Sequence, residues 1–178
     1  SKHALGARHL VRAVEGDGVA QSERQRLERG LGVEAAALAG PFHVAGEGFW
    51  QTARRPGFAD PTFFGGYAEV GYVLTRGDAR IYKDGAFDRL APTRPINAGG
   101  PGAIEINARY DYLDLNDAGI VGGKQRTVGV SLIWAPISYV RFTANYGRLM
   151  FDDAAIGTIT GDRDYSADAF GLRTQIDF

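Results

Sequence analysis

The last nine residues alternate without a break: Phe170, Leu172, Thr174, Ile176 and Phe178 fall on one side, and Gly171, Arg173, Gln175 and Asp177 on the other. Strict alternation of period two places one wet face and one apolar face on a single β-strand. A strand so built must hide its apolar face, either in a protein core or in lipid. No stretch of the chain supplies the roughly 20 apolar residues that a membrane-crossing helix requires. The slightly negative mean hydropathy does not decide between the two, because only every second residue of a barrel strand faces lipid.

The same reading extends through the chain. Alternation and turn residues predict eight strands, at roughly 4–14, 30–39, 42–54, 63–75, 103–114, 126–135, 138–150 and 164–178. About ten residues is the length a tilted strand needs to cross a bilayer. Only 21–29 reads as helical, and it is short and charged. Gly40-Pro41 and Pro136-Ile137 are short enough for hairpin turns. In outer-membrane barrels short turns lie on the periplasmic side and longer loops outside. With Phe178 taken as periplasmic, loops 151–163, 115–125, 55–62 and 15–29 fall outside, and 136–137, 76–102 and 40–41 fall on the periplasmic side. Segment 76–102 is too long for that side; its mix of Tyr82, Phe87, Leu90 and Ile96 with charges predicts a segment that folds into the lumen and narrows it.

Within the strands, Ile104, Ile106, Ala108, Tyr110 and Tyr112 oppose Glu105, Asn107, Arg109 and Asp111. Val128, Val130, Leu132 and Trp134 oppose Thr127, Gly129, Ser131 and Ile133, and Val140, Phe142, Ala144 and Tyr146 oppose Arg141, Thr143 and Asn145. Trp50, Trp134, Tyr110, Tyr112, Tyr146 and Phe178 are expected near strand ends, where aromatic girdles form. A lipocalin-like soluble barrel would carry the same alternation with its faces reversed. The terminal aromatic, like that of bacterial outer-membrane barrels, favours the membrane.

Composition narrows the chemistry. Charged residues are 23% of the chain and the net charge is −1, so no nucleic-acid partner is indicated. Without cysteine there are no disulfides, thiolate metal sites or cysteine nucleophiles. His3, His9 and His43 lack zinc-ligand spacing, and no serine sits in a catalytic context; neither a metal, a cofactor nor an enzymatic activity is expected. The run Gly119 to Lys124 has glycines and a lysine but lacks the first glycine and the hydroxyl of a phosphate loop. Asp114, Asn116, Asp117 and Gly119 begin like a calcium loop, yet Ala118 and Gln125 stand where oxygen ligands belong.

Five blocks, GPFHVAGEGFWQ (40–51), FFGGYAEVGYVLT (63–75), ARYDYLDLND (108–117), SLIWAPISYVRFTANYGRLMF (131–151) and the closing ADAFGLRTQIDF, resemble the phosphate-selective porins O and P over about residues 30–178. The resemblance is to the C-terminal half of that family's barrel. It implies a sixteen-stranded antiparallel transmembrane β-barrel in the outer membrane of a Gram-negative bacterium, of which about eight strands are present here. It further implies a homotrimer in contact with outer-membrane lipid that passes small anions such as phosphate or polyphosphate. The chain is then expected to be a fragment starting inside a longer one. The pore-lining candidates are Arg8, Arg12, Arg109, Arg141 and Arg173, opposed on the same face by Glu34, Glu47, Glu69, Glu105, Asp111 and Asp177. Constriction candidates are Arg76, Arg80, Lys83, Arg89 and Arg94, against Asp78, Asp84 and Asp88. Lys83 is the only lysine of that segment, so the family's lysine cluster is not visible in this half. The alternative is a non-conducting eight-stranded barrel with a structural or binding role.

Overall fold

The computed structural model describes residues 8–16, 28–83 and 86–177. Eight strands form one antiparallel sheet in the order β1-β2-β3-β4-β7-β8-β9-β10, with each long strand beside its sequence neighbour. They are β1 (Arg8–Gly16), β2 (Glu28–Ala39), β3 (Phe42–Ala53), β4 (Thr62–Val73), β7 (Ala103–Asp117), β8 (Ile120–Ile137), β9 (Val140–Asp152) and β10 (Tyr165–Ile176). Two short strands, β5 (Tyr82–Lys83) and β6 (Ala86–Phe87), make a separate hairpin between β4 and β7. The sheet is open among the described residues: β1 pairs only with β2, and β10 only with β9.

All eight expected strands have a counterpart among the described residues, although residues 4–7 of the first lie outside them and β1 is described from Arg8 to Gly16. Three boundaries move. The expected loop 115–125 is a two-residue turn at Ala118-Gly119, both with positive φ (49° and 81°), with β7 and β8 running up to it. Two such left-handed residues give the hairpin turn whose twist matches the strands it joins. The run from Gly119 to Lys124 is therefore mostly strand. The turn expected at 136–137 lies at Ser138-Tyr139, because β8 continues through an irregularity between Trp134 and Ile137 that accommodates Pro136. Proline cannot donate to a ladder, so it settles where the register slips. Of the expected helix 21–29, residues 21–27 lie outside the described residues, while Glu28 and Arg29 begin β2.

The register joins like with like across the sheet. Facing residues on neighbouring strands share a side, so the pairs Val70↔Ala108, Ala108↔Val130 and Val130↔Tyr146 run along one face. Glu69↔Arg109, Asn107↔Ser131 and Ser131↔Asn145 run along the other. On the first face Val44, Val70, Ile106, Val128, Val130 and Leu132 are exposed, with no other element laid over them among the described residues. Aromatic pairs lie toward its two ends: Trp50 with Phe64 (5.0 Å) at one, Phe42 with Tyr72 (4.5 Å) and Trp134 with Phe142 (5.6 Å) at the other. Tyr110 and Tyr146, expected at strand ends, fall mid-strand in β7 and β9, and Phe178 lies outside the described residues.

The buried cluster sits on the polar face instead. Val73, Leu90, Ala103 and Ala135 pack together where residues 74–102 fold back over the sheet. That connection shares an end of the sheet with the turns 40–41 and 138–139, as the alternation of connections requires. It is pinned by backbone bonds from Leu74 N to Ile104 O (2.8 Å) and by Trp134 Nε1 donating to Pro101 O (3.0 Å). Gly102 is obligatory at its exit: φ is +76°, and a Cβ there would stand 2.6 Å from Ala135 O.

Candidate functional site

The polar face is the candidate site, and residues 74–102 are its lid at one end. Arg80 forms a two-pronged bond to Glu105, Nε to Oε2 at 2.6 Å and Nη2 to Oε1 at 2.8 Å. Its remaining nitrogen donates to the Asp88 carbonyl at 2.9 Å, so one guanidinium ties the segment to itself and to β7. Glu105 is 0% exposed and also accepts from Asn107 Nδ2 (2.9 Å), which donates in turn to Ser131 Oγ (3.2 Å). A planar fork matched to a carboxylate fixes orientation as well as charge.

Around this pair the packing is close. Phe87 lies on the His43 ring (centroids 4.9 Å) and edge-on to Tyr82 (5.3 Å). His43 and Asn107 both lean over Gly71, where a Cβ would meet His43 Cε1 at 2.0 Å and Asn107 Oδ1 at 2.2 Å. Among the described residues, His43 Nδ1 and Asn107 Oδ1 are buried without a hydrogen-bond partner. Asp78, also buried, accepts from Thr93 N at 2.7 Å and closes the base of the segment. At the far side Arg89 reaches Asp177 beyond β10 at 4.0 Å, both half open to solvent. Glu105, Ile133, Thr143 and Arg173 occupy one row of the register. The segment therefore straps the polar face from β7 to β10, three interstrand steps or about 14 Å.

The expected arginines fall into distinct groups. Arg109 is compensated: it bonds Asp111 (2.7 Å), approaches Glu69 (3.8 Å) and stacks on the Tyr67 ring (3.7 Å). Arg141 and Arg173 are on the same face as diagonal neighbours on β9 and β10, opposite Gln175 and Thr143, and neither makes an ion pair among the described residues. Arg8 and Arg12 hold polar-face positions in β1, opposite Leu38 and Glu34. In the strap, Arg80 is paired with Glu105, Arg89 reaches Asp177, and Arg76 and Arg94 are exposed; Lys83 is placed in β5 by its backbone. The structure thus gathers Arg89, Arg141 and Arg173 at the β9–β10 side and sets Arg80 apart from them.

Sequence reasoning missed the ion pairs on the outer side of β7–β10: Lys124 with Asp114 (2.9 Å), Arg126 with Asp152 (2.7 Å) and Arg148 with Asp168 (3.5 Å). They occupy apolar-face positions of the register: Arg126 stands opposite Tyr112, Arg148 opposite Val128, and Lys124 opposite Asp114 and Asp152. Asp114 and Asp117, the carboxylates of the calcium-like run, are already engaged, Asp114 by Lys124 and Asn116 N, and Asp117 by Thr62 N (2.6 Å) and Ala118 N (2.8 Å).

An antiparallel meander with an uncovered apolar face and a polar face covered at one end by a strap is the setting for the comparisons with known proteins. The model of the family described as phosphate-selective porin O and P matches residues 13–178. The chain belongs to that family. A protein of Caulobacter vibrioides described as uncharacterized is 50% identical over 147 residues, which cover 83% of this chain and 29% of the relative. The chain thus spans less than a third of that relative's length. No solved structure matches it.

Proposed function

We propose that the chain forms part of the wall and the internal constriction of an outer-membrane porin that passes small anions, phosphate among them, without reaction. One observation carries this reading: the protein is inside out. Its large apolar side chains are exposed on one continuous face, and its core lies on the polar face beneath residues 74–102. A soluble sheet in water would bury the first and wet the second. In lipid the apolar face is solvated by acyl chains, and the polar face lines water.

The dimensions support it. Ile104 to Tyr112 is eight residue steps along one face, about 27 Å of strand. At the usual tilt near 40° that spans about 20 Å, close to the apolar band of roughly 25 Å in known barrels. Family membership extends this reading to the outer membrane of a Gram-negative bacterium. The strap argues against the small closed barrel: eight strands closed on themselves leave room only for side chains. Here an entire chain segment lies on the polar face, so the wall that contains it must be wider. In this reading 74–102 projects into the lumen, and Arg89, Arg141 and Arg173 give the narrowed passage its attraction for anions through focusing of the field.

The test is conductance of the protein in a planar bilayer under a salt gradient, followed by added phosphate. Stepwise currents, an anion-directed reversal potential and block by phosphate are expected. Correctly inserted protein with no steps, or with cation-directed reversal, would overturn the proposal.

A further inference from the structure

Arg80 is the most deeply held cation of the strap, and its geometry separates it from the anion path. Its side chain is 11% exposed, and all three of its guanidinium nitrogens are engaged, two by Glu105 and one by the Asp88 carbonyl. An arginine so compensated presents no net charge to a passing ion. What it does is bring together two parts of the chain that are 25 residues apart: the β5–β6 hairpin on one side and the first polar residue of β7 on the other. The hairpin's Phe87 then seats on His43 of β3, and Leu90 enters the cluster with Val73, Ala103 and Ala135. At the opposite side the strap's one ion pair among the described residues is the long, exposed contact of Arg89 with Asp177. One end is fixed and the other is loosely held.

We infer that the Arg80–Glu105 pair is a positioning device that sets the width and charge selectivity of the passage by fixing the strap at β7, while Arg89 at the loose end acts on the ions. The inference rests on the porin reading above. It assigns different work to two arginines of one segment: loss of Arg80 moves the strap, and loss of Arg89 removes a charge from a strap still in place. The fork matters as well as the charge, because Nε and Nη2 address the two oxygens of Glu105 separately.

The experiment compares Arg80→Ala, Arg80→Lys, Arg89→Gln and the exchange Arg80→Glu with Glu105→Arg in planar bilayers. Single-channel conductance and reversal potential are read together with trypsin cleavage after Lys83 and Arg89. Arg80→Ala is expected to raise conductance at least twofold, to move the reversal potential toward zero and to open both sites to trypsin. Arg80→Lys, which keeps the charge and loses the fork, is expected to lie between, and it decides alone if Arg80→Ala does not insert. The exchange is expected to restore part of the wild-type behaviour. Arg89→Gln is expected to shift the reversal potential with conductance changed by less than a third and trypsin access at Lys83 unchanged. Wild-type conductance, reversal potential and trypsin resistance in Arg80→Lys, together with the same in any inserted Arg80→Ala, overturn the inference. If the wild-type protein forms no channel, the porin reading fails by itself, and trypsin access in the Arg80 variants still decides whether the pair holds the strap.

Discussion

Glu105 and Ile106 are adjacent in β7 and have opposite fates: the carboxylate is 0% exposed and the isoleucine 47%. In a water-soluble sheet the order would be reversed. Glu105 tolerates burial because Arg80 and Asn107 satisfy both of its oxygens, and an isolated carboxylate in that place would be strongly disfavoured. Ile106 tolerates exposure only if its surroundings are not water. The two neighbours differ because Glu105 lies beneath the strap and Ile106 on the uncovered face; in the porin reading proposed above, the first is matched to the strap and the second to lipid.

The sharpest way to break this contrast is to remove one partner from the covered face. Glu105→Ala leaves the Arg80 guanidinium with little water and no carboxylate, and about 3–5 kcal/mol of stability should be lost. Urea unfolding in lipid vesicles would measure it; a loss below about 1 kcal/mol would mean the strap relaxes to hydrate Arg80. Next comes a pair of identical insertions one residue apart. Ala144 lies on the apolar face and Asn145 on the polar one, both exposed. Ala144→Arg should cost about 2–4 kcal/mol in a bilayer, and Asn145→Arg less than about 0.5 kcal/mol. Equal costs would erase the distinction between the faces. Gly71→Ala probes how tightly the covered face is packed. The new Cβ must displace His43 and Asn107, and overpacking of this kind costs about 1–3 kcal/mol. A shift in His43 ring signals should accompany it. The smallest effect is expected among the charged residues of the outer face, where Arg126→Gln removes an exposed contact of one guanidinium nitrogen with both oxygens of Asp152. The loss should be about 0.2–1 kcal/mol and should shrink in high salt.

Much of this architecture is legible in the sequence because period two survives wherever the two solvents differ. From Ile104 to Tyr112 every second residue is apolar or aromatic, and the register confirms that these share a face with Val128, Val130 and Leu132. The signal fades where that difference ends. Above Tyr112 the pattern inverts, with Leu113 at a polar-face position and Asp114 and Lys124 at apolar-face ones, so the phase of the alternation is lost while the strands continue to a two-residue turn. That is why 115–125 reads as a loop. The strap is legible only in part. Its mixture of apolar and charged residues predicts packing, but the link from Arg80 to Glu105 joins positions 25 apart in the chain, and no local pattern encodes it. Arginines of one segment that look equivalent in sequence are thus divided by tertiary contacts into a clamp and exposed charges.

The neighbour-to-neighbour order of the wall has an evolutionary consequence. In a pure meander, two strands can be gained or lost together without reversing the direction of any other strand. Deleting β1 and β2, for instance, would leave every strand from β3 to β10 in its present direction and pairing, so the circumference of such a wall is open to change by whole hairpins. The block from β7 to β10 is the exception, since the strap is fixed at Glu105 and touches Asp177. A hairpin added or removed there would require a strap of a different reach. Size variation among relatives should accordingly fall outside this block, or inside it only together with a change in the length of 74–102.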